Sequence, residues 1–294
     1  MEHQHPLTEQ VKAAMAGTQD PRLKTIMAAF VEHAHAFVNA VNLTEDEFEA
    51  GLRFIAEVGQ TNTDSHNEMV LAADVLGIST LVSLLNNPQD RGQTTAALLG
   101  PFWRLNSPVC ELGESIARSP TPGQMLFVSG CVKSAEGQAI PGASVDVWQA
   151  SPVGLYENQD PQQEAMNLRG LFKADAAGRY HFRTVRPAGY PVPTHGPIGR
   201  LLKVQNRHPY RPAHIHFMVS APGYKTMITQ VFMDERERLE TDVVFGVSAS
   251  LVAQINKHEQ FDDLPAGATL PVYTLDYDFT LEQGESSFPE PPIK

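Results

Sequence analysis

Residues 211–217 read Arg-Pro-Ala-His-Ile-His-Phe, and polar and apolar side chains alternate from His214 onward. This alternation is typical of a β-strand that packs one face against a core. The same period of two recurs in three further stretches, at residues 144–148, 179–183 and 274–279. Pro-Gly pairs such as Pro141-Gly142 and Pro222-Gly223 mark turns between them. Together these patterns predict an antiparallel β-sandwich as the main domain, over residues 101–280.

The chain before the sandwich has a helical period instead. One apolar stripe at helical spacing consists of Leu23, Ile26, Met27, Phe30, Ala34, Phe37, Val38 and Val41. Thr44 with Glu47 forms a capping box that starts a second helix, and Ser65 with Glu68 repeats the signal for a third helix, which ends at Asn86-Asn87-Pro88. Residues 1–100 are therefore predicted to form a helical section, and the proline-rich residues 281–294 a flexible C-terminal tail.

Composition excludes several classes of protein. The 294 residues carry a net charge of −12 without a long basic run, which argues against a nucleic-acid-binding surface. Two cysteines are too few for a disulfide framework, and a reducing cytoplasm is the natural setting. The N-terminus lacks the features of a secretion signal, and no apolar run is long enough to span a membrane. We therefore expect a cytoplasmic protein.

His214 and His216 are the sharpest candidate for chemistry. Alternate residues of a strand share a face, so both imidazoles point the same way, while Ile215 and Phe217 take the other face. Two adjacent imidazoles can hold a metal ion. The pattern alone is equally compatible with two strand histidines that only make hydrogen bonds.

Two tyrosines lie in tight Gly- and Pro-rich settings in the same half of the chain, Tyr156 after Gly154-Leu155 and Tyr190 between Gly189 and Pro191. Phenolates are hard anionic donors that favour ferric iron. Judged alone, each tyrosine is more often an amphipathic core residue with its hydroxyl at the surface.

Longer stretches of the chain resemble the intradiol ring-cleavage dioxygenases. The matching segments follow one another in the family's order over most of residues 95–280: they are residues 141–150, 154–156, 167–170, 182–185, 189–193 and 207–216. The resemblance implies cleavage of an aromatic 1,2-diol by O2 between its two hydroxylated carbons. It also implies one non-haem Fe(III), with Tyr156, Tyr190, His214 and His216 as its ligands.

The resemblance implies roles for other residues as well. Tyr190 would be displaced and take a proton from the diol, and Arg211 would stabilise negative charge, with Gln230 beside it. The substrate pocket would be lined by Leu71, Asp74, Leu98, Pro101, Phe102, Val244 and Phe245. A buried Asp74 would suit a third ring hydroxyl, so hydroxyquinol (benzene-1,2,4-triol) is favoured, with catechol or a substituted catechol as the alternative.

The resemblance also implies an assembly through the helical section. In the resembled family the paired helices form a dimer interface that encloses lipid, so a homodimer is expected; a stripe that packs within the chain fits the pattern equally. Two other classes of function stay open from the residues alone. One is a non-catalytic β-sandwich binding module, and the other is a zinc hydrolase that uses His214 and His216.

Overall fold

Helices fill the first part of the chain and strands the second, as the change of period predicts. The computed structural model describes residues 5–88, 92–233, 236–262, 264–265 and 268–293. They divide into one compact unit up to Glu57 and a second from Val58 onward. The boundary expected near residue 100 lies inside the second unit, because Thr80 Oγ1 and Glu68 Oε1 make hydrogen bonds to the strand-rich part, at Val244 O and Ile198 N.

Three helices begin in the first unit: α1 (Pro6–Ala14), α2 (Pro21–Val41) and α3 (Glu45–Gln60). The predicted capping box at α3 is confirmed, since Glu47 N donates to Thr44 Oγ1 over 3.3 Å and Thr44 N donates to Glu47 Oε2 over 2.9 Å. The apolar stripe of α2 is exposed, with Phe30 and Phe37 at 65% and 57% of their full accessibility. An exposed stripe of this size marks an interaction surface.

The third predicted helix is two helices, α4 (Glu68–Val75) and α5 (Ile78–Asn86). They are separated by Gly77, whose φ of +72° breaks the helical hydrogen-bond pattern, and their axes differ by 75°. The predicted Ser65 cap was wrong: Asn67 caps α4, and its Oδ1 accepts from Val70 N. In the described residues no single helix is long and apolar enough to cross a membrane, and only the bent pair α4–α5 meets that test jointly.

In the part of the second half that the structure describes, there are twelve strands. They are β1 (Met125–Ser134), β2 (Ser144–Gln149), β3 (Arg169–Lys173), β4 (Arg179–Val185), β5 (Tyr190–Pro191), β6 (Tyr210–Arg211), β7 (His214–Ser220), β8 (Met227–Met233), β9 (Val252–Ala253), β10 (Ile255–His258), β11 (Val272–Asp276) and β12 (Phe279–Leu281). Two short helices, α6 (Pro197–Val204) and α7 (Arg236–Leu239), and two 3₁₀ turns, Glu157–Gln159 and Ala249–Leu251, connect them.

Two five-stranded sheets pack face to face and confirm the sandwich. One has the order β3-β2-β7-β8-β9; the other runs β10-β11-β1-β12, with β4 also paired to β1. The core between them includes Phe217 of β7 and Phe279 of β12, whose ring centroids lie 4.9 Å apart. The sheets are mixed rather than purely antiparallel, because β1 pairs in parallel with β11 and β12, and β8 with β9.

The segment expected to be a loosely ordered tail makes specific contacts. Leu281 ends β12 and is buried, and Ile293 is only 4% exposed. Ile293 lies in a cluster that includes Phe102 and Trp103. The burial of the apolar side chain of Ile293 contributes to holding this proline-rich segment against the fold.

Candidate active site

The histidine pair projects from the outer face of the sheet that contains β7. Ile215 and Phe217 belong to the core on the inner face, so His214 and His216 share the outer one, as the strand period predicts. Both imidazoles are nonetheless buried, at 1% and 2% exposure. The indole of Trp148 on β2 stacks against His216, with ring centroids 4.8 Å apart and planes 12° apart, and this stacking fixes the plane of the imidazole.

Both tyrosines reach the same spot from different connections. Tyr156 follows the turn after β2, and Tyr190 begins β5. Gly154 lets the two segments approach, because a Cβ atom there would lie 2.7 Å from Tyr190 Cβ and the φ of Gly154 is +83°. The two phenol oxygens are 3.3 Å apart.

Four donor atoms therefore converge. Tyr190 Oη is 3.5 Å from His214 Nε2, and that nitrogen is 3.1 Å from His216 Nε2. Nδ1 of His214 lies 2.8 Å from Pro212 O. Because a carbonyl oxygen only accepts, Nδ1 carries the hydrogen in the neutral ring, and Nε2 directs its lone pair towards the other donors.

The pKa values keep the two imidazoles available as ligands. Burial, together with the nearby charge of Arg211, lowers the pKa of His214 to about 3. Burial also lowers the pKa of His216 well below its ordinary value. Two neutral imidazoles are what a metal ion requires at neutral pH.

Burial has the opposite effect on the phenols. It raises the pKa of Tyr156 well above its ordinary value, and the neighbouring Tyr190 adds to the rise. It also raises the pKa of Tyr190, although the charge of Arg211 opposes the shift. Even beside Arg211 both pKa values are raised, so the use of the phenols as phenolate ligands needs a strongly charged metal ion among the four atoms.

The donor set fits a ferric ion better than other metals. Two oxygens and two nitrogens, with no thiolate among them, suit a hard ion. In the described part of the chain no group of three or more His, Cys, Asp or Glu side chains can hold a metal ion, so a metal centre here depends on the phenols. The lone pair of His214 Nε2 and the close contacts between the four atoms fit the shared coordination of one cation.

Arg211 lies beside the four donors in a buried network. Its Nη1 is 3.2 Å from His214 Nε2. Its Nε and Nη2 donate to the two carboxylate oxygens of Asp242 over 3.0 and 3.1 Å, and Nη2 also donates to Gln230 Oε1 over 2.7 Å. Gln230 Nε2 in turn donates to Leu98 O over 2.7 Å. This places Arg211 and Gln230 together, as expected.

Electrostatics keep this network ionised. Burial alone would lower the pKa of Arg211, but the adjacent Asp242 raises it above its ordinary value. For Asp242 burial acts to raise the pKa, and Arg211 outweighs it, so the pKa of that carboxyl is lowered. A fixed positive charge therefore faces the four donor atoms.

A cleft of about 680 Å³ opens next to the donors. Gly100 lies between the cleft and the donors. It lines the cleft, and a Cβ atom on it would lie 3.1 Å from His216 Cε1. Of the residues predicted to line the pocket, Asp74 and Leu98 do so, and Asp74 is only 4% exposed. Burial raises the pKa of Asp74 to about 6, against the opposing effects of Ser79 and Arg211.

The other residues predicted for the pocket lie elsewhere around the site. Phe245 lines a second, smaller cavity of about 190 Å³, and Leu98 lines this cavity as well as the cleft. Phe102 is buried against Tyr156, with ring centroids 4.6 Å apart. Leu71 and Val244 are buried, and Pro101 is half-buried; none of these three lines either cavity.

Sequence reasoning missed Asp242, Trp148 and Gly100 as parts of the site. Asp242 is 31 positions from Arg211, and no local pattern links them. Trp148 carried a detectable signal, since its alternation with Val147 places it on the outer face of β2, in register with His216.

Comparisons with known proteins place the chain in a family. A family model described as Dioxygenase matches residues 100–283, and a model described as Catechol dioxygenase N terminus matches residues 20–94. The chain is 38% identical to the 6-chlorohydroxyquinol 1,2-dioxygenase of Cupriavidus pinatubonensis, over 95% of this chain and 97% of that protein. It is 39% identical to the catechol 1,2-dioxygenase of Candida albicans, over 96% and 93%.

Solved structures give the same result. The hydroxyquinol 1,2-dioxygenase of Pseudomonas putida superposes with a TM-score of 0.86 at 36% identity, over 95% of this chain and 98% of that one. The catechol 1,2-dioxygenase of Acinetobacter radioresistens gives a TM-score of 0.84 at 26% identity, over 98% of both chains. With both parts of the chain matched, the protein is an enzyme that belongs to the intradiol ring-cleavage dioxygenase family.

Proposed function

We propose that the enzyme binds one Fe(III) through Tyr156, Tyr190, His214 and His216 and cleaves hydroxyquinol between its two adjacent hydroxylated carbons with O2. The product would be 3-hydroxy-cis,cis-muconate, the enol form of maleylacetate. The observation that carries the proposal is the convergence of four donor atoms, in contacts of 3.1–3.5 Å, beside an open cleft.

The iron, when bound, supplies Lewis acidity and a template for the two diol oxygens. Side chains of the protein would accept protons and stabilise negative charge. A diol that binds through both oxygens must lose two protons, and Tyr190 Oη, as a phenolate, would accept one of them. Asp242 fixes Arg211 with Nη1 towards the donors, and Arg211 there stabilises the negative charge that develops on the ring.

Asp74 supports hydroxyquinol as the substrate. It lines the cleft, is almost fully buried, and its pKa of about 6 makes a protonated carboxyl accessible near neutral pH. Such a carboxyl group can donate a hydrogen bond to a third ring hydroxyl or accept one from it. Without this partner the hydroxyl would lose its hydrogen bonds to water on burial. Catechol is the second candidate, because relatives named for each substrate match at similar identity.

Oxygen uptake with hydroxyquinol, catechol, 4-chlorocatechol and protocatechuate tests the proposal. We expect hydroxyquinol to have the highest kcat/KM, and Asp74→Leu to reduce this preference about tenfold or more relative to catechol. The iron-loaded protein should be wine-red from phenolate-to-iron charge transfer, and a diol added under nitrogen should shift the colour. A zinc hydrolase or a binding module would be colourless, and colourless protein with a full complement of iron would contradict the ligand set.

We also propose that two copies associate through the exposed stripe of α2, which includes Phe30, Phe37 and Val41. A lipid at this interface, implied by the family resemblance, is part of the proposal. Sedimentation of the wild type and of Phe37→Asp tests the dimer, and mass spectrometry of an organic extract tests the lipid. Free Cys110 and Cys131 are consistent with the proposed cytoplasmic setting.

A further inference from the structure

Residues 282–293, which we call the strap, follow β12 and contact the sheet that contains β7 and β8. Lys225 N donates to Glu282 O over 2.9 Å, and Gly284 N donates to Gly223 O over 3.0 Å. Thr226 Oγ1 lies 2.8 Å from Ser286 Oγ. These contacts attach the first part of the strap to the turn between β7 and β8.

The far end of the strap is attached at two further points. Asn67, the residue that caps α4, donates from Nδ2 to Pro292 O over 3.4 Å. Ile293 is 4% exposed and belongs to the apolar cluster that contains Tyr156 and Tyr190. The strap therefore connects the start of α4 with the packing that surrounds the two phenols.

Between these attachments the strap borders the cleft. Glu290, Pro291 and Pro292 line it together with Asp74 of α4 and Gly100, which abuts His216. The two consecutive prolines restrict the backbone and donate no hydrogen bond, so the part of the border that Pro291 and Pro292 form is stiff and apolar. Its position depends on the attachment of the residues that follow and precede it.

We propose that the strap is a specificity-determining element, with Ile293 as the positioning residue that holds Pro291 and Pro292 at the cleft and so limits the size of the diol. The inference rests on the proposed function, because the cleft is taken as the diol site. When Ile293 is shortened, the prolines lose their attachment on one side, and the cleft admits a bulkier ring substituent.

The test compares Ile293→Ala with Ile140→Ala. Ile140 is a matched control, since it is also isoleucine and 7% exposed, but it lies in the sandwich core away from the cleft. The measured quantity is the ratio of the dissociation constants of 4-tert-butylcatechol and catechol for the iron-loaded protein under nitrogen. We expect Ile293→Ala to lower this ratio about tenfold, and Ile140→Ala to leave it unchanged.

Tryptophan emission gives a second readout. The chain has two tryptophans, and both Trp103 and Trp148 belong to the cluster of Ile293. Ile293→Ala should shift the emission maximum, whereas Ile140→Ala should not. A shifted emission with an unchanged ratio would overturn the specificity role, and an unchanged emission would overturn the placement of Ile293.

Asn67→Asp provides a second variant if Ile293→Ala folds poorly. Aspartate keeps the oxygen that accepts from Val70 N, but it replaces the donor to Pro292 O by an acceptor. Asn67→Asp alone should lower the same ratio of dissociation constants, because it releases Pro292; an unchanged ratio would contradict an action through the strap. Because binding is measured without turnover, a wild type that binds diols and cleaves none counts against the proposed function, while the same ratio still judges the strap.

Discussion

Replacing Asp242 by asparagine exchanges one oxygen of a buried carboxylate for an NH2 group and removes its charge. Each oxygen of Asp242 has two donors close to it: Oδ1 has Arg211 Nε and Val244 N, and Oδ2 has Arg211 Nη2 and Gly246 N. In either orientation the new NH2 group therefore faces other donors. Arg211 keeps a buried charge without its counterion and loses the contact that sets its direction.

The size of the effect follows from this geometry. Arg211 and Asp242 are 4% and 5% exposed, so water cannot replace the lost partner. Breaking a buried ion pair from one side costs about 3–5 kcal/mol of stability. If Arg211 also stabilises the transition state, its misplacement should lower kcat about 100-fold, the order seen when one preorganised donor is removed.

Thermal unfolding and oxygen uptake measure the two effects. Asp278→Asn is the control, because its ion pair with Lys133 is 2.8 Å long but exposed, and its loss should cost about 0.5 kcal/mol. In an Arg211→Met background Asp242→Asn should lower kcat no further, since Asp242 acts through Arg211. An equal loss of kcat on Asp242→Asn in the wild-type and Arg211→Met backgrounds would refute the reasoning. So would a wild-type kcat in Asp242→Asn alone.

Two further predictions concern the ligands and Asp74. Tyr190→Phe should retain iron but lower kcat about 100-fold through the loss of a base, whereas His214→Ala should lose iron by metal analysis; full turnover in Tyr190→Phe would rule out the proton-accepting role. Because the pKa of Asp74 is raised in the fold from 3.8 to about 6, the folded state holds the proton more tightly than the unfolded chain. The Tm of the wild type relative to Asp74→Asn should therefore rise as the pH falls from 7 to 4 and stay level above pH 7; a constant difference would contradict the shift.

The sequence predicted the features that depend on local periodicity. The period of a strand placed His214 and His216 on one face and Ile215 in the core, and the structure has them so. The capping box at Thr44 and Glu47 formed as expected. Such features depend on residues a few positions apart, so sequence alone contains the necessary information.

Features that depend on distant contacts were missed or misplaced. Ser65 offered the same capping signal as Thr44, but Glu68 is buried against His66 and the start of α6, and Asn67 caps the helix instead. Asp242 belongs to the site because it pairs with Arg211, and Ile293 is buried because it packs in an aromatic cluster. In each case tertiary packing decides between local alternatives that the sequence leaves nearly equal.

The parallel pairing of β1 with β11 and β12 has a consequence for biosynthesis. Val128 of β1 lies in register with Leu275, and Val132 lies in register with Phe279. A ribosome that has made β1 must therefore add roughly 140 more residues before those partners emerge, so the sheet that contains β1 closes late and through contacts of long sequence separation. Until then one edge of β1 stays open to other chains, and nascent protein at this stage should depend on chaperones more than the finished enzyme does.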